Sequence, residues 1–223
     1  MRRSDARAVL AATAGRIPAT LTFLAVTGGA WAWVESLASE AREEQILAAS
    51  TNLHNLLQGD VFTFVTSAFV RDDVDVVSFV TLGIVLAAAE LRWGYRRVLS
   101  AFAGGHVGAT VLVAAGLFVG SWLGWVPPGW ETAPDVGVSY GVVCLAGALT
   151  AELPRVPRRV WAAGWLAFLG ARLVDGGTFT DAGHLCALLI GFTLAAVWLR
   201  RRAAPVDSVP ASCEAAPHGH EGT

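Results

Sequence analysis

The sequence contains no lysine, so its 16 basic residues are all arginine, and charged residues of both signs make up only 15% of 223 positions. So few charges cannot cover the surface of a water-soluble domain of this size. A formal net charge of −2 provides no basic field for a nucleic acid, and none is expected as a partner. Cysteine is scarce, with Cys144 and Cys186 inside apolar runs and Cys213 in a polar tail, which implies no disulfide framework. His218 and His220 read as solvated tail residues, and neither metal nor cofactor is expected. What is abundant is apolar: 54% of residues are hydrophobic, nine are tryptophan, and the mean hydropathy is +0.53. The bilayer is the implied solvent.

Six apolar stretches follow one another at 17–37, 74–91, 98–121, 136–153, 160–173 and 182–199. They predict an all-α polytopic bundle over residues 17–202, preceded by a cytoplasmic segment 1–16 and followed by a disordered cytoplasmic tail 203–223. The fifth stretch is short and carries Arg172 at its end, so packing or snorkelling must set its boundary. A cleaved leader is the alternative for the first stretch, but no small-residue cleavage site clearly follows it.

Charge orients the spans. Thirteen of the 16 arginines fall in four clusters at alternate span ends: Arg2, Arg3, Arg7 and Arg16; Arg92, Arg96 and Arg97; Arg155, Arg158 and Arg159; Arg200, Arg201 and Arg202. Arg42, Arg71 and Arg172 are the exceptions, and acidic residues dominate their side. Arginine is retained on the cytoplasmic face, so both termini are expected there, with Trp122, Trp125 and Trp130 in an interfacial belt opposite.

The loop between the first two stretches is long, and long loops are often functional. Helical spacing over 38–57 predicts an interfacial helix. Residues 61–70 are too apolar for an exposed loop and too few to span, which predicts a partly submerged or re-entrant segment. Thr51, Asn52, His54 and Asn55 concentrate polar groups in this loop, and capping is their default role.

Two side chains within the spans could perform chemistry. Ser139 opens the fourth stretch and His184 the sixth; each is about one turn from the same face, so they share a depth. A serine becomes a nucleophile when a neutral imidazole within hydrogen-bond reach takes its proton. Ala187 and Gly191 share a face with His184, and Ala146 and Gly147 lie about two turns beyond Ser139, so small residues permit the two helices to touch. Gly137 and Gly141 face another neighbour. Free backbone N–H groups at the start of the fourth helix suit an oxyanion. The alternative is structural: serine packs between membrane helices, and an intramembrane histidine can simply satisfy a carbonyl. His106, with no evident nucleophile at its depth, is assigned that role.

These residues, in Gly137-Val138-Ser139-Tyr140 and Gly183-His184-Leu185-Cys186-Ala187, resemble the motifs of the rhomboid family of intramembrane serine proteases, Gly-x-Ser-Gly and Ala-His-x-x-Gly. Thr66-Ser67-Ala68-Phe69 and Glu90-Leu91-Arg92-Trp93-Gly94 are similar to the family's as well. The resemblance implies a six-helix bundle, a Ser139–His184 dyad, and transmembrane protein substrates or, in an inactive pseudoprotease, clients; the scarcity of lysine beside abundant alanine, arginine, glycine and valine suggests a bacterial source and so a bacterial cytoplasmic membrane. Tyr140 and Ala187 stand where the family has glycine. Val74 and Ser78 stand where it carries the His and Asn that stabilise the oxyanion; losing one such donor costs about 3–4 kcal/mol of barrier. His54 and Asn55 are candidates to replace them, and Gly137, Tyr140 and Ser78 are further candidates for the oxyanion or substrate site.

Overall fold

A computed structural model describes residues 14–71 and 76–203. The terminal segments, including His218, His220 and Cys213, and Val74 lie outside the described residues. The described chain is all-helical: α1 (Pro18–Glu35), α2 (Ser39–Ala49), α3 (Leu53–Leu57), α4 (Thr63–Thr66), α5 (Val76–Trp93), α6 (Tyr95–Trp122), α7 (Ser139–Ala148, continued by a 3₁₀ turn Leu149–Glu152), α8 (Arg155–Val174) and α9 (Phe179–Ala203). Three of these, α5, α6 and α9, are long and apolar enough to cross a membrane by length and composition.

Each of the six apolar stretches falls on a helix, with shifted ends. The fifth begins at Arg155 rather than near Val160. Its first turn carries arginines because Arg158 is needed there: its guanidinium donates to the carbonyls of Thr150 (2.9 Å) and Leu153 (2.8 Å), closing the end of the preceding turn. The interfacial helix expected over 38–57 is broken at Ser50–Asn52, where the backbone extends and the Asn52 side chain accepts the Asn55 N–H at 2.9 Å to start α3. The 61–70 segment folds as the single turn of helix α4 between hydrogen-bonded turns, with Ala68 and Val70 buried and Phe62 and Val65 exposed.

α7 is the centre of the molecule. Every residue from Tyr140 to Ala148 is buried, against α5, α6 and α9. Small side chains make this possible, since a helix enclosed on all sides must let neighbouring backbones close in. A methyl on Gly147 would meet the Leu188 carbonyl oxygen at 2.7 Å, and one on Gly191 would meet Gly147 Cα at 2.9 Å, so α7 and α9 touch backbone to backbone. Gly141 is filled by the Phe102 ring of α6, the separate neighbour that its face implied.

A buried carboxylate fixes the first helix. Glu90 of α5 accepts the Ala19 N–H (2.9 Å), the Thr20 N–H (2.7 Å) and the Thr20 hydroxyl (2.6 Å), occupying N-terminal donors of α1. Three charge-assisted bonds and the helix dipole offset the desolvation of the charge.

Candidate active site

The turn into α7 is held from behind. Gly137 has φ +118°, a conformation that needs glycine, and its N–H donates to the Ser67 carbonyl at 2.7 Å. Its N–H is therefore committed and does not serve as an oxyanion donor. The Ser67 hydroxyl is hydrogen bonded to His106 Nε2 at 3.1 Å, and both residues are buried. Sequence reasoning found no serine at the depth of His106; one is there, donated by the first loop. The pair is sealed from any substrate, so its role is to brace the segment that presents Ser139.

Ser139 is the first residue of α7, with no side chain capping the helix, and the Val142 N–H donates to the Val138 carbonyl at this end. N–H groups of the first turn are therefore placed to meet an oxyanion beside Ser139. Ser139 and His184 line one cavity of about 370 Å³, which is also lined by Ser78 and Thr81 of α5 and Trp165 and Arg172 of α8. No hydrogen bond joins the serine to the histidine in this structure. Catalytic bonds are often long before substrate binds and tighten in the complex.

Tyr140 is not in the cavity but behind it. Its ring lies edge-on to His184, centroids 5.4 Å apart, and occupies the space above Gly183, where any Cβ would collide with the ring. Bulk has been exchanged across the α7–α9 contact: the tyrosine enlarges one side and the glycine before His184 empties the other. We expect Gly183→Ala to destabilise the protein by about 1–3 kcal/mol, the range of an overpacked core. Tyr140→Gly empties the space of a buried ring and is itself destabilising, but Gly183→Ala should cost much less in that background than in the parent, whereas additive effects would contradict the exchange.

The Tyr140 hydroxyl donates to Asp135 Oδ1 at 3.0 Å, and Asp135 ties the first loop down. Its backbone N–H donates to the Ser50 hydroxyl (2.8 Å), and its carbonyl accepts both the N–H and the hydroxyl of Thr51, each at 3.0 Å. Burial pushes the Asp135 carboxyl up to about 6 despite its bonds to Tyr140 and Thr51. A folded-state value above the unfolded one favours folding at low pH, fully below about pH 4, and that contribution is lost as pH rises through 6. A rise of about two units corresponds to about 3 kcal/mol. Asp135→Asn should therefore become progressively more stable relative to the parent between about pH 4 and pH 7.5, read by unfolding in detergent at both values.

His54 and Asn55 are elsewhere. They border a separate cavity of about 890 Å³ formed largely by α2 and α3. The Asn55 amide donates to the Leu47 and Ser50 carbonyls, both at 2.9 Å, and His54 is paired with Gln58 at 2.8 Å. The structure does not bring them to Ser139; they hold the loop together, as capping predicts.

A family model described as rhomboid-like protein matches residues 13–204. The chain belongs to the rhomboid-like family. No curated protein and no solved structure matches it. Family and apolar helices together make it an integral membrane protein. Within this family setting, Tyr140 in place of glycine no longer reads as a plain loss of space, because Gly183 accommodates the ring. Of the two positions that the resemblance matches to oxyanion donors, Ser78 borders the same cavity as Ser139 and His184.

Proposed function

We propose that this rhomboid-like protein is an intramembrane serine protease. Ser139 attacks a peptide carbonyl in a transmembrane segment, and His184 takes the serine proton and passes it to the leaving amine. The observation that supports this reading is the single cavity lined by both side chains, near the starts of α7 and α9, together with residues of α5 and α8. N–H groups at the start of α7, and Ser78 across the cavity, are the donors proposed for the oxyanion. The arginine clusters support six spans with both termini in the cytoplasm, which places the site near the outer face of the membrane. Arginine in place of lysine, with abundant alanine, glycine and valine, supports a bacterial source and its cytoplasmic membrane.

One observation favours a second reading. Ser139 and His184 share a cavity without sharing a hydrogen bond, and a pseudoprotease that holds client helices in the same groove needs no such bond. A serine-reactive fluorophosphonate applied to purified protein distinguishes the two: covalent labelling that requires Ser139 belongs to the enzyme.

A further inference from the structure

A general base works best when a third group holds it in place. His184 makes no such hydrogen bond among the described residues, and its ring contact is with Tyr140, edge-on at 5.4 Å. Asp181, one turn earlier on α9, is already engaged: Oδ1 accepts the Arg172 Nε–H at 2.9 Å, and Oδ2 accepts the N–H and hydroxyl of Thr178, each at 3.0 Å. What holds Tyr140 therefore bears on the histidine. The tyrosine is buried, its ring fills the space above Gly183, and its hydroxyl donates to Asp135, which is buried in turn. Thr180 of α9 is in reach of the same hydroxyl.

We infer that Asp135 is a positioning residue for His184, acting through Tyr140, and that docking of the first loop on residues 131–135 regulates the dyad by this route. The inference rests on the proposed reading of Ser139 and His184 as a protease dyad. The dock is a seam of hydrogen bonds. The His54 N–H donates to the Glu131 carbonyl (3.0 Å) and the Asn52 amide to the Thr132 carbonyl (3.4 Å). The Thr51 N–H donates to the Asp135 carbonyl (3.0 Å), and the Asp135 N–H to the Ser50 hydroxyl (2.8 Å). Residues 50–54 thus run alongside the segment that leads into α7. Asp135 is the member of this seam closest in the chain to Ser139, and it is bonded to the residue that follows that serine. It reaches both halves of the dyad: the serine through the chain and the histidine through the tyrosine ring. Buried polar networks of this kind rigidify when every member is satisfied and loosen when one is lost.

The test follows the His184 ring itself. In protein carrying isotope-labelled histidine in detergent, the magnetic resonance signal of the His184 imidazole is assigned by its absence from His184→Gln. It should be single and narrow in the parent, and broadened or split in Asp135→Ala and in Tyr140→Phe, which keeps the ring and loses the hydroxyl. Asp135→Asn, whose amide oxygen still accepts the Tyr140 bond, should restore the parent signal. Thr51→Val, which alters only the loop, should reproduce part of the broadening. Fluorophosphonate labelling should follow the same order. At saturating reagent the rate should fall about tenfold in Asp135→Ala and Tyr140→Phe, short of the roughly hundredfold loss from a displacement of about 1 Å, with little change in the half-saturating concentration. A ring signal unchanged in both Asp135→Ala and Tyr140→Phe overturns the inference, as does a loss in Asp135→Asn equal to that in Asp135→Ala. A parent chain that takes no label counts against the protease reading alone, because the resonance reports on the ring without the reaction.

Discussion

Gly191→Val is expected to destabilise the protein by at least about 3 kcal/mol, the upper part of the range for overpacking. A Cβ at this position would fall on the Cys144 carbonyl oxygen, with Gly147 Cα at 2.9 Å and the Ala148 nitrogen at 3.0 Å. All three are backbone atoms of α7, which has no open side to retreat into. Relief therefore requires α7 and α9 to separate. His184 is carried on α9 two turns from the obstruction and Ser139 on α7, so the separation acts directly on the proposed dyad. A displacement of about 1 Å can reduce catalysis by about a hundredfold. Unfolding in detergent and fluorophosphonate labelling should fall together. Gly104→Ala on α6 is the control: nothing lies within 4 Å of the added methyl, and alanine is the better helix former.

The second large effect concerns the dyad itself. On the proposed protease reading, Ser139→Ala removes the attacking oxygen and His184→Ala the base. Each is expected to reduce labelling and cleavage by at least about a thousandfold, since residues that act as one unit lose nearly everything when either is removed. Their effects should not add in the double variant. Neither change should unfold the protein, because both side chains border a cavity, where truncation leaves no sealed void. Stability near that of the parent with reactivity lost is the signature expected of catalytic residues.

How far the chain could be read in advance differs from element to element. The helices were legible because long apolar runs are a strong signal, and the close contact of α7 and α9 was legible because Ala187, Gly191, Ala146 and Gly147 pointed to it. Helix ends were less so: α8 starts early because Arg158 closes a turn that belongs to the preceding element. Contacts between distant residues left little local trace. Glu90 looked like part of a motif ending a span, yet it caps α1, 70 residues earlier. Ser67 looked like part of a family-like motif in a partly submerged segment, yet it pairs with His106 and holds Gly137. Tyr140 looked like an obstruction until its partner Gly183 was located across the interface. Asp135 carried no sequence signal at all, because its importance lies in Ser50 and Thr51, which reach it from the first loop.

The central claim is that the residue opening α7 is a nucleophile activated by the histidine of α9. Purified protein in detergent, exposed to a fluorescent fluorophosphonate and resolved by electrophoresis, tests it in one measurement. The account predicts a labelled band for the unaltered chain that is absent from Ser139→Ala and His184→Ala, with the modified peptide containing Ser139. An unaltered chain that takes no label, or label that persists in Ser139→Ala, would contradict it.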